Sequence, residues 1–91
     1  MKIHFIKIFI KQAESDLDIL QETIITRDEK KTSFVAHRMK SSFAAFGFDT
    51  GKDLAIEIEF NPAADKSQVV LNKLKKAVDG IITEFRKSYP D

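Results

Sequence analysis

The sequence predicts an all-α fold: an antiparallel up-and-down four-helix bundle that residues 1–91 form as a single domain. Apolar residues recur at helical spacing almost throughout the chain. Only three Gly and two Pro interrupt this pattern, so the connections between helices should be short. Because each apolar stripe is too weak to hold a helix on its own, the four helices are expected to bury their stripes against one another.

The first helix is predicted over residues 3–26. Its first half is rich in Ile and Phe, which are common in β-strands, but the length of the segment and the continuing helical register favour a helix. We expect Phe5 and Phe9 to lie in the core, together with Leu71 and Phe85 from the last helix. The apolar stripe of the first helix consists of Phe5, Phe9, Ala13, Leu17, Leu20 and Ile24.

The second helix is predicted to begin near residues 27–29, because Thr26 and Glu29 have the spacing of a capping box. It should end near Gly47, since glycine readily adopts the left-handed conformation that terminates helices. With about 100° of rotation per residue, one side of this helix forms a core face. That face consists of Thr32, Val35, Ala36, Met39, Phe43 and Phe46.

Thr50 and Asp53 repeat the capping pattern, which predicts a short third helix. Asn61 and Pro62 should break this helix, because the residue before a proline disfavours helical geometry. The apolar residues of the third helix are Leu54, Ala55 and Ile58.

A fourth helix is predicted next, with either Asp65 or Ser67 as its N-cap. Its apolar residues follow nearly a heptad spacing, which is typical of helices that pack lengthwise in a bundle. They are Leu71, Leu74, Val78, Ile81 and Phe85.

Composition excludes several classes of function. The net charge of +1 and the pI of about 8.0 argue against a general nucleic-acid binder, which usually carries a basic stripe. The chain has no Cys, so it has neither disulfides nor a thiolate zinc site, and a reducing, cytoplasmic location fits. Lys7 and Lys11 interrupt the apolar N-terminal segment, which therefore matches neither a signal peptide nor a membrane span.

The acidic residues of the predicted helices are interpreted as solvated. Glu57 and Glu59 should form an exposed face of the third helix. The lysines at 73, 75 and 76 should form an exposed face of the fourth helix. No His joins the acidic residues of the first helix at ligand spacing, so we expect no metal site. Those residues are Glu14, Asp16, Asp18 and Glu22.

His37 is the candidate functional residue, because it points almost directly away from the core face of the second helix. Lys40 lies one turn onward beside His37, and Phe34 lies at the margin of the same face. Ser41 and Ala44 have small side chains that leave His37 accessible to a partner. A neutral imidazole is a competent nucleophile near pH 7, and a nearby ammonium can offset the charge of a phosphoryl group. Such a surface can carry a phosphoryl group and offer it to another protein, whereas His4 lacks this context.

The surrounding stretch resembles the histidine-containing phosphotransfer (HPt) domains of multistep two-component phosphorelays. The family motif is roughly Ala-His-x-apolar-Lys-Gly-x-Ser, with a further Gly ten residues after the His. Residues 54–59 also resemble the third bundle helix of the family, and residues 9–13 the start of its first long helix. Ser41 departs from the motif, since the family usually has Gly there. The motif positions that match are Ala36, His37, Met39, Lys40 and Gly47.

This resemblance implies a phosphocarrier rather than a true enzyme. His37 would accept a phosphoryl group from an aspartyl phosphate on a response-regulator receiver domain and pass it to a second receiver. Lys40 would stabilise the phosphoryl group, while Phe34, Ser41 and Ala44 would form the docking surface for the receiver. The chain itself would need no cofactor, because Mg²⁺ would belong to the receiver. Either the domain is minimal, or it is a piece of a larger hybrid sensor kinase.

Two other classes of function stay open on the sequence alone. The first is a helical protein-interaction module without phosphotransfer, in which His37 is incidental or the site has decayed through Ser41. The second is a membrane-surface protein that uses the amphipathic N-terminal segment, in which Lys2, Lys7 and Lys11 alternate with Ile and Phe. Packing within a bundle explains this segment better, so we expect no membrane contact by the domain.

Overall fold

The computed structural model describes the backbone of residues 3–88 and the side chains of residues 5–88. This part of the chain is almost entirely helical and contains no strand. Each helix packs against the next one in sequence, and the fourth closes the bundle against the first. The prediction of an all-α four-helix bundle is therefore confirmed. The helices are α1 (Ile3–Ile25), α2 (Glu29–Phe46), α3 (Asp49–Phe60) and α4 (Ala64–Ser88).

The core contains most of the predicted apolar residues. Phe9 lies at one end of it, where its ring stacks on Phe46 with centroids 3.9 Å apart and meets the edge of Phe43 at 5.8 Å. Contacts of this kind add to the stabilisation that comes from buried apolar area. The buried apolar residues are Phe9, Ala13, Leu17, Leu20, Ile24, Val35, Ala36, Met39, Phe43, Ala55, Ile58, Leu71, Leu74, Val78 and Ile82.

Three core assignments, one in α1 and two in α4, need correction. Phe5 is 57% exposed, because Phe9, one turn further on, already packs against the last turn of α2 and nothing of α2 extends beyond it. Phe85 is half-buried rather than buried. Ile82 takes the core position that the heptad spacing assigned to Ile81. In a straight helix, residue 82 lies three turns after Leu71 and on nearly the same side of the helix. Residue 81 is rotated about 80° away from Leu71 around the helix axis.

The connection between α1 and α2 uses a different cap from the predicted one. Asp28 is the N-cap, and its side chain accepts a hydrogen bond from the Lys31 backbone N–H at 3.1 Å. The Thr26 hydroxyl instead donates back to the Glu22 carbonyl oxygen at 3.0 Å, so the capping box is wrong although the start of the helix is right. At the other end of α2, Gly47 has φ of 82°, which confirms the predicted left-handed ending.

The caps of α3 and α4 also differ from the sequence prediction. Helix α3 begins at Asp49, and its N-cap Phe48 makes no side-chain capping bond, so Thr50 lies inside the first turn. A Cβ atom on Gly51 would collide with the Phe48 ring, which makes glycine necessary there. Asn61 ends α3 as predicted.

Helix α4 begins at Ala64, before both of its predicted caps. Asp65 lies in the first turn of the helix. Ser67 is buried there and donates its hydroxyl to the Asn61 carbonyl oxygen at 3.0 Å. Ser67 therefore ties α4 to the end of α3, and neither residue is the N-cap.

One acidic residue of α1 is buried, contrary to the prediction of a solvated helix exterior. Asp16 is 2% exposed and accepts hydrogen bonds from Arg38 at 2.8 Å and from Gln12 at 3.1 Å. Because Asp16 lies between Ala13 and Leu20 on the inward side of α1, the Arg38 partner compensates its burial. This ion pair joins α1 to α2 at the residue that follows His37.

Candidate functional site

His37 lies on the outer face of α2, as its wheel position predicts. Its neighbour Ala36 and the preceding Val35 are buried, while the His37 side chain is 57% exposed. The two core residues fix the rotation of α2, and that rotation presents the imidazole to solvent.

Glu59 on α3 binds the His37 imidazole and was missed by the sequence analysis. Its Oε2 atom is 2.7 Å from Nδ1 of His37, and its Oε1 atom is 3.1 Å from Nζ of Lys40. Only 14% of the Glu59 side chain is exposed, so the prediction of a solvated glutamate is wrong. A single carboxylate thus links two α2 side chains, one with each oxygen.

The position of Glu59 is fixed by a backbone contact as well. The Ser33 hydroxyl, one turn before His37, donates to the Glu59 carbonyl oxygen at 2.8 Å. This bond holds the end of α3 against the outer face of α2. Because Glu59 is attached at its backbone and at both carboxylate oxygens, the imidazole partner is held in a defined place.

The charge of Glu59 determines which imidazole nitrogen is nucleophilic. Partial burial acts to raise the pKa of Glu59, but the hydrogen bonds from Lys40 and His37 outweigh it and hold the pKa below its ordinary value. The carboxylate is therefore ionised at neutral pH and can only accept, so Nδ1 must carry the proton. In the neutral imidazole the lone pair then lies on Nε2, and no described residue forms a hydrogen bond with that atom.

Lys40 is less accessible than predicted. Its side chain is 26% exposed and its ammonium group is paired with Glu59, whereas its position on the helical wheel predicted an exposed side chain beside His37. The two cationic partners of Glu59 lie one helical turn apart on α2. The ammonium group therefore remains close to the imidazole, and this proximity is what its predicted role requires.

The three predicted docking residues share the exposed face of α2. Phe34 is 64% exposed, and it lines an open depression together with His37, Glu59 and Pro62. Ser41 and Ala44 are both exposed on the other side of His37. The Ser41 hydroxyl is turned back towards the His37 carbonyl oxygen at 3.4 Å, so it does not stand out from the surface.

The remaining site predictions can be placed as follows. The lysines at 73, 75 and 76 are exposed on α4, and Lys75 donates to Gln21 of α1 at 2.7 Å.

Among the described side chains, no cluster of three or more His, Cys, Asp or Glu could hold a metal ion. None of the helices that the structure describes is long and apolar enough to cross a bilayer. The side chain of His4 lies outside the described residues.

The missed role of Glu59 has a physical cause. Residues 37 and 59 are 22 positions apart, and their contact depends on how far α3 is rotated and shifted against α2. A helical wheel gives the face of one helix only. The one signal in the sequence was a pair of acidic residues on α3, and that pattern does not distinguish the exposed Glu57 from the bound Glu59.

Comparison with known proteins agrees with this geometry. Residues 4–84 match the model of the Hpt domain family, a span that includes most of the bundle together with His37, Lys40 and Glu59. Comparison with curated proteins and with solved structures finds no significant match. The family match and the helical bundle around an exposed histidine lead to one conclusion: the chain belongs to the Hpt domain family, whose members act in phosphotransfer within phosphorelays.

Proposed function

We propose that this domain relays a phosphoryl group between receiver-domain aspartates in two-component signalling, with His37 as the carrier. The observation that supports the proposal best is the His37 imidazole itself. It is exposed, its Nδ1 is held by Glu59 at 2.7 Å, and its Nε2 faces no described partner. A relay residue must be reached by two different proteins in turn, and an exposed nitrogen on a rigid helix meets that need.

The transfer step uses the lone pair of Nε2. This nitrogen attacks the phosphorus of an aspartyl phosphate, the new N–P bond forms, and the O–P bond breaks with its electron pair remaining on the receiver carboxylate. The Nδ1 proton stays on the ring. The reverse sequence at a second receiver returns the phosphoryl group to a carboxylate. Glu59 is a positioning residue in this scheme, because it fixes the tautomer and touches no reacting atom.

Lys40 supplies positive charge next to the transferred group. Its ammonium is 3.1 Å from Glu59 and one turn from His37, so it can offset the charge that His37 gains. Mg²⁺ belongs to the receiver in this proposal, and no cluster of acidic or His side chains in the described part of the chain could hold the ion here.

Phe34, Ser41 and Ala44 form the docking surface of the receiver. An exposed aromatic ring beside small side chains gives the combination of an apolar anchor and close approach that protein interfaces favour. The low profile of Ser41, with its hydroxyl against the helix backbone, leaves room for a partner directly over His37.

The test is transfer from a phosphorylated receiver to the purified domain, with His37→Gln as the matched variant. We expect the wild-type domain to become labelled and to pass the label to a second receiver, while His37→Gln stays unlabelled and keeps its helical content. Labelling of both proteins would refute the proposal. Receiver binding without any labelling would favour the interaction module instead.

A further inference from the structure

The carboxylate of Glu59 has a consequence for the phosphorylated state of His37. Its Oε2 atom binds Nδ1 and its Oε1 atom binds Lys40, so both oxygens have defined partners in the described structure. The side chain is only 14% exposed. If the Glu59 carboxylate rotated away from the imidazole, it would also lose its ion pair with Lys40.

Phosphorylation changes the charge of the ring. When the Nε2 lone pair forms a bond to phosphorus and Nδ1 keeps its proton, the imidazole becomes an imidazolium ion. In water this ion can lose its Nδ1 proton and leave a neutral ring. The two forms differ as phosphoryl donors: the protonated ring leaves as neutral imidazole, whereas the deprotonated ring would have to leave as an imidazolate anion, a far poorer leaving group.

We propose that Glu59 keeps the Nδ1 proton on phosphorylated His37, so that the residue stays a competent phosphoryl donor at neutral and mildly alkaline pH. The inference deepens the proposed function and depends on it for its biological role. In the onward step the N–P bond breaks, its electron pair returns to Nε2, and a receiver carboxylate oxygen bonds to phosphorus. The Nδ1 proton is neither gained nor lost, and Glu59 neutralises the ring charge until the ring leaves.

The other charges around His37 do not replace this effect. Lys40 is a cation and would by itself favour loss of the ring proton, but its ammonium rests on the second oxygen of Glu59. Glu29 and Lys30 line the same depression and oppose each other in sign. No titratable group of α1 or α4 lines this depression in the described part of the chain. Glu59 is therefore the group that decides the sign of the local field at Nδ1.

The test measures the ring pKa of phosphorylated His37 directly. The protein is phosphorylated with phosphoramidate, a small donor that needs no receiver, and the phosphohistidine signal is followed by ³¹P NMR as the pH is varied. Glu59→Gln keeps an oxygen that can accept from Nδ1 but removes the charge. We expect this change to lower the ring pKa by about one unit, as for a charge partner at hydrogen-bond distance. Glu57→Gln, an exposed position on the same helix, should leave it unchanged.

A second readout links the proton to transfer. At a pH above the ring pKa of the variant, phosphorylated Glu59→Gln should return its phosphoryl group to a receiver several-fold more slowly than wild type, and the difference should vanish at lower pH. A loss of transfer that is equal at every pH would indicate a merely structural role and overturn the inference. Equal ring pKa values in wild type and Glu59→Gln would also overturn it.

The inference remains testable if Glu59→Gln fails to fold. The ring pKa of phosphorylated wild type is then compared in buffer and in urea, and the folded protein must show the higher value. This comparison also separates the inference from the proposed function. A raised ring pKa without transfer from any receiver refutes the relay and leaves the role of Glu59 intact. Transfer with an ordinary ring pKa supports the relay and refutes the role of Glu59.

Discussion

At the scale of single residues, the site consists of three side chains that two helices bring together. His37 and Lys40 lie one turn apart on α2, and Glu59 of α3 binds both, at 2.7 Å and 3.1 Å. The residues on α2 follow from helical periodicity and the motif. Glu59 does not, because its contact depends on the rotation of a second helix. The chemistry of the site therefore depends on a residue that no local pattern reveals.

Lys40→Ala should slow phosphotransfer while leaving the fold nearly intact. The change removes a cation that would otherwise form a charge-assisted hydrogen bond with the transferred group, so we expect roughly a tenfold slower transfer. The ion pair with Glu59 is partly exposed, and pairs of this kind contribute little to stability. Transfer rates and thermal melting check the two parts separately. A large fall in melting temperature with normal transfer would show that Lys40 serves the fold.

Ser41→Gly should transfer phosphate at least as fast as the unsubstituted domain. Glycine removes the side chain from beneath the docking partner, and the present hydroxyl makes only a long contact of 3.4 Å to the His37 carbonyl oxygen. The variant should lose about 0.5 kcal/mol of stability through helix propensity. Parallel transfer assays and denaturant unfolding test this. Clearly slower transfer by the glycine variant would mean that Ser41 takes part in recognition.

At the scale of secondary-structure elements, α2 presents one face to the core and the opposite face to solvent. Its inward side is closed by Val35, Met39 and Phe43, which are all buried. Its outward side carries the exposed Phe34 and Ala44 on either side of His37. This division follows from helical periodicity, so it could be predicted from sequence. The N-caps of α2, α3 and α4 could not be predicted in this way. Two candidates, Thr26 and Asp28, compete at the start of α2, while α3 and α4 begin without a Ser, Thr or Asp N-cap.

Ala44→Glu should weaken receiver binding without unfolding the domain. Ala44 is exposed, so the helix accommodates a longer side chain, but a charged group under the partner would have to lose its hydration on binding. Titration with a receiver, followed by NMR, should show weaker binding for this variant. Chemical-shift changes confined to α4 in the wild-type protein would place the docking surface elsewhere.

The contact between α2 and α3 should make stability depend on pH through Glu59. Its pKa is lower in the folded protein than the ordinary value of 4.5. The stability that it contributes is therefore fully present above about pH 4.5 and is lost as the pH falls through the folded pKa. Glu59→Gln should melt below wild type at pH 6, and the gap should narrow towards pH 3. Glu57→Gln serves as the control, and a gap that widens in acid would contradict the assignment.

At the scale of the whole molecule, the packing of the bundle places the His37 imidazole on its outer surface. The number of helices, their approximate ends and the face of α2 that carries His37 all follow from the apolar periodicity. The contacts between helices do not: Asp16 was expected in solvent, yet it is 2% exposed and paired with Arg38. Phe5 was expected in the core but lies one turn beyond the end of α2. Both depend on the lengths and offsets of neighbouring helices, which one-dimensional patterns do not contain.

The proposed relay requires that the receiver place the phosphoryl group on Nε2 of His37. The chain has two histidines, so ¹⁵N labelling of histidine resolves four ring nitrogens. The domain is phosphorylated by a receiver, and the N–P bond is located by the coupling between ¹⁵N and ³¹P. We expect coupling to Nε2 of His37 alone, with the Nδ1 proton retained. Coupling to Nδ1 of His37, or to either nitrogen of His4, would contradict it.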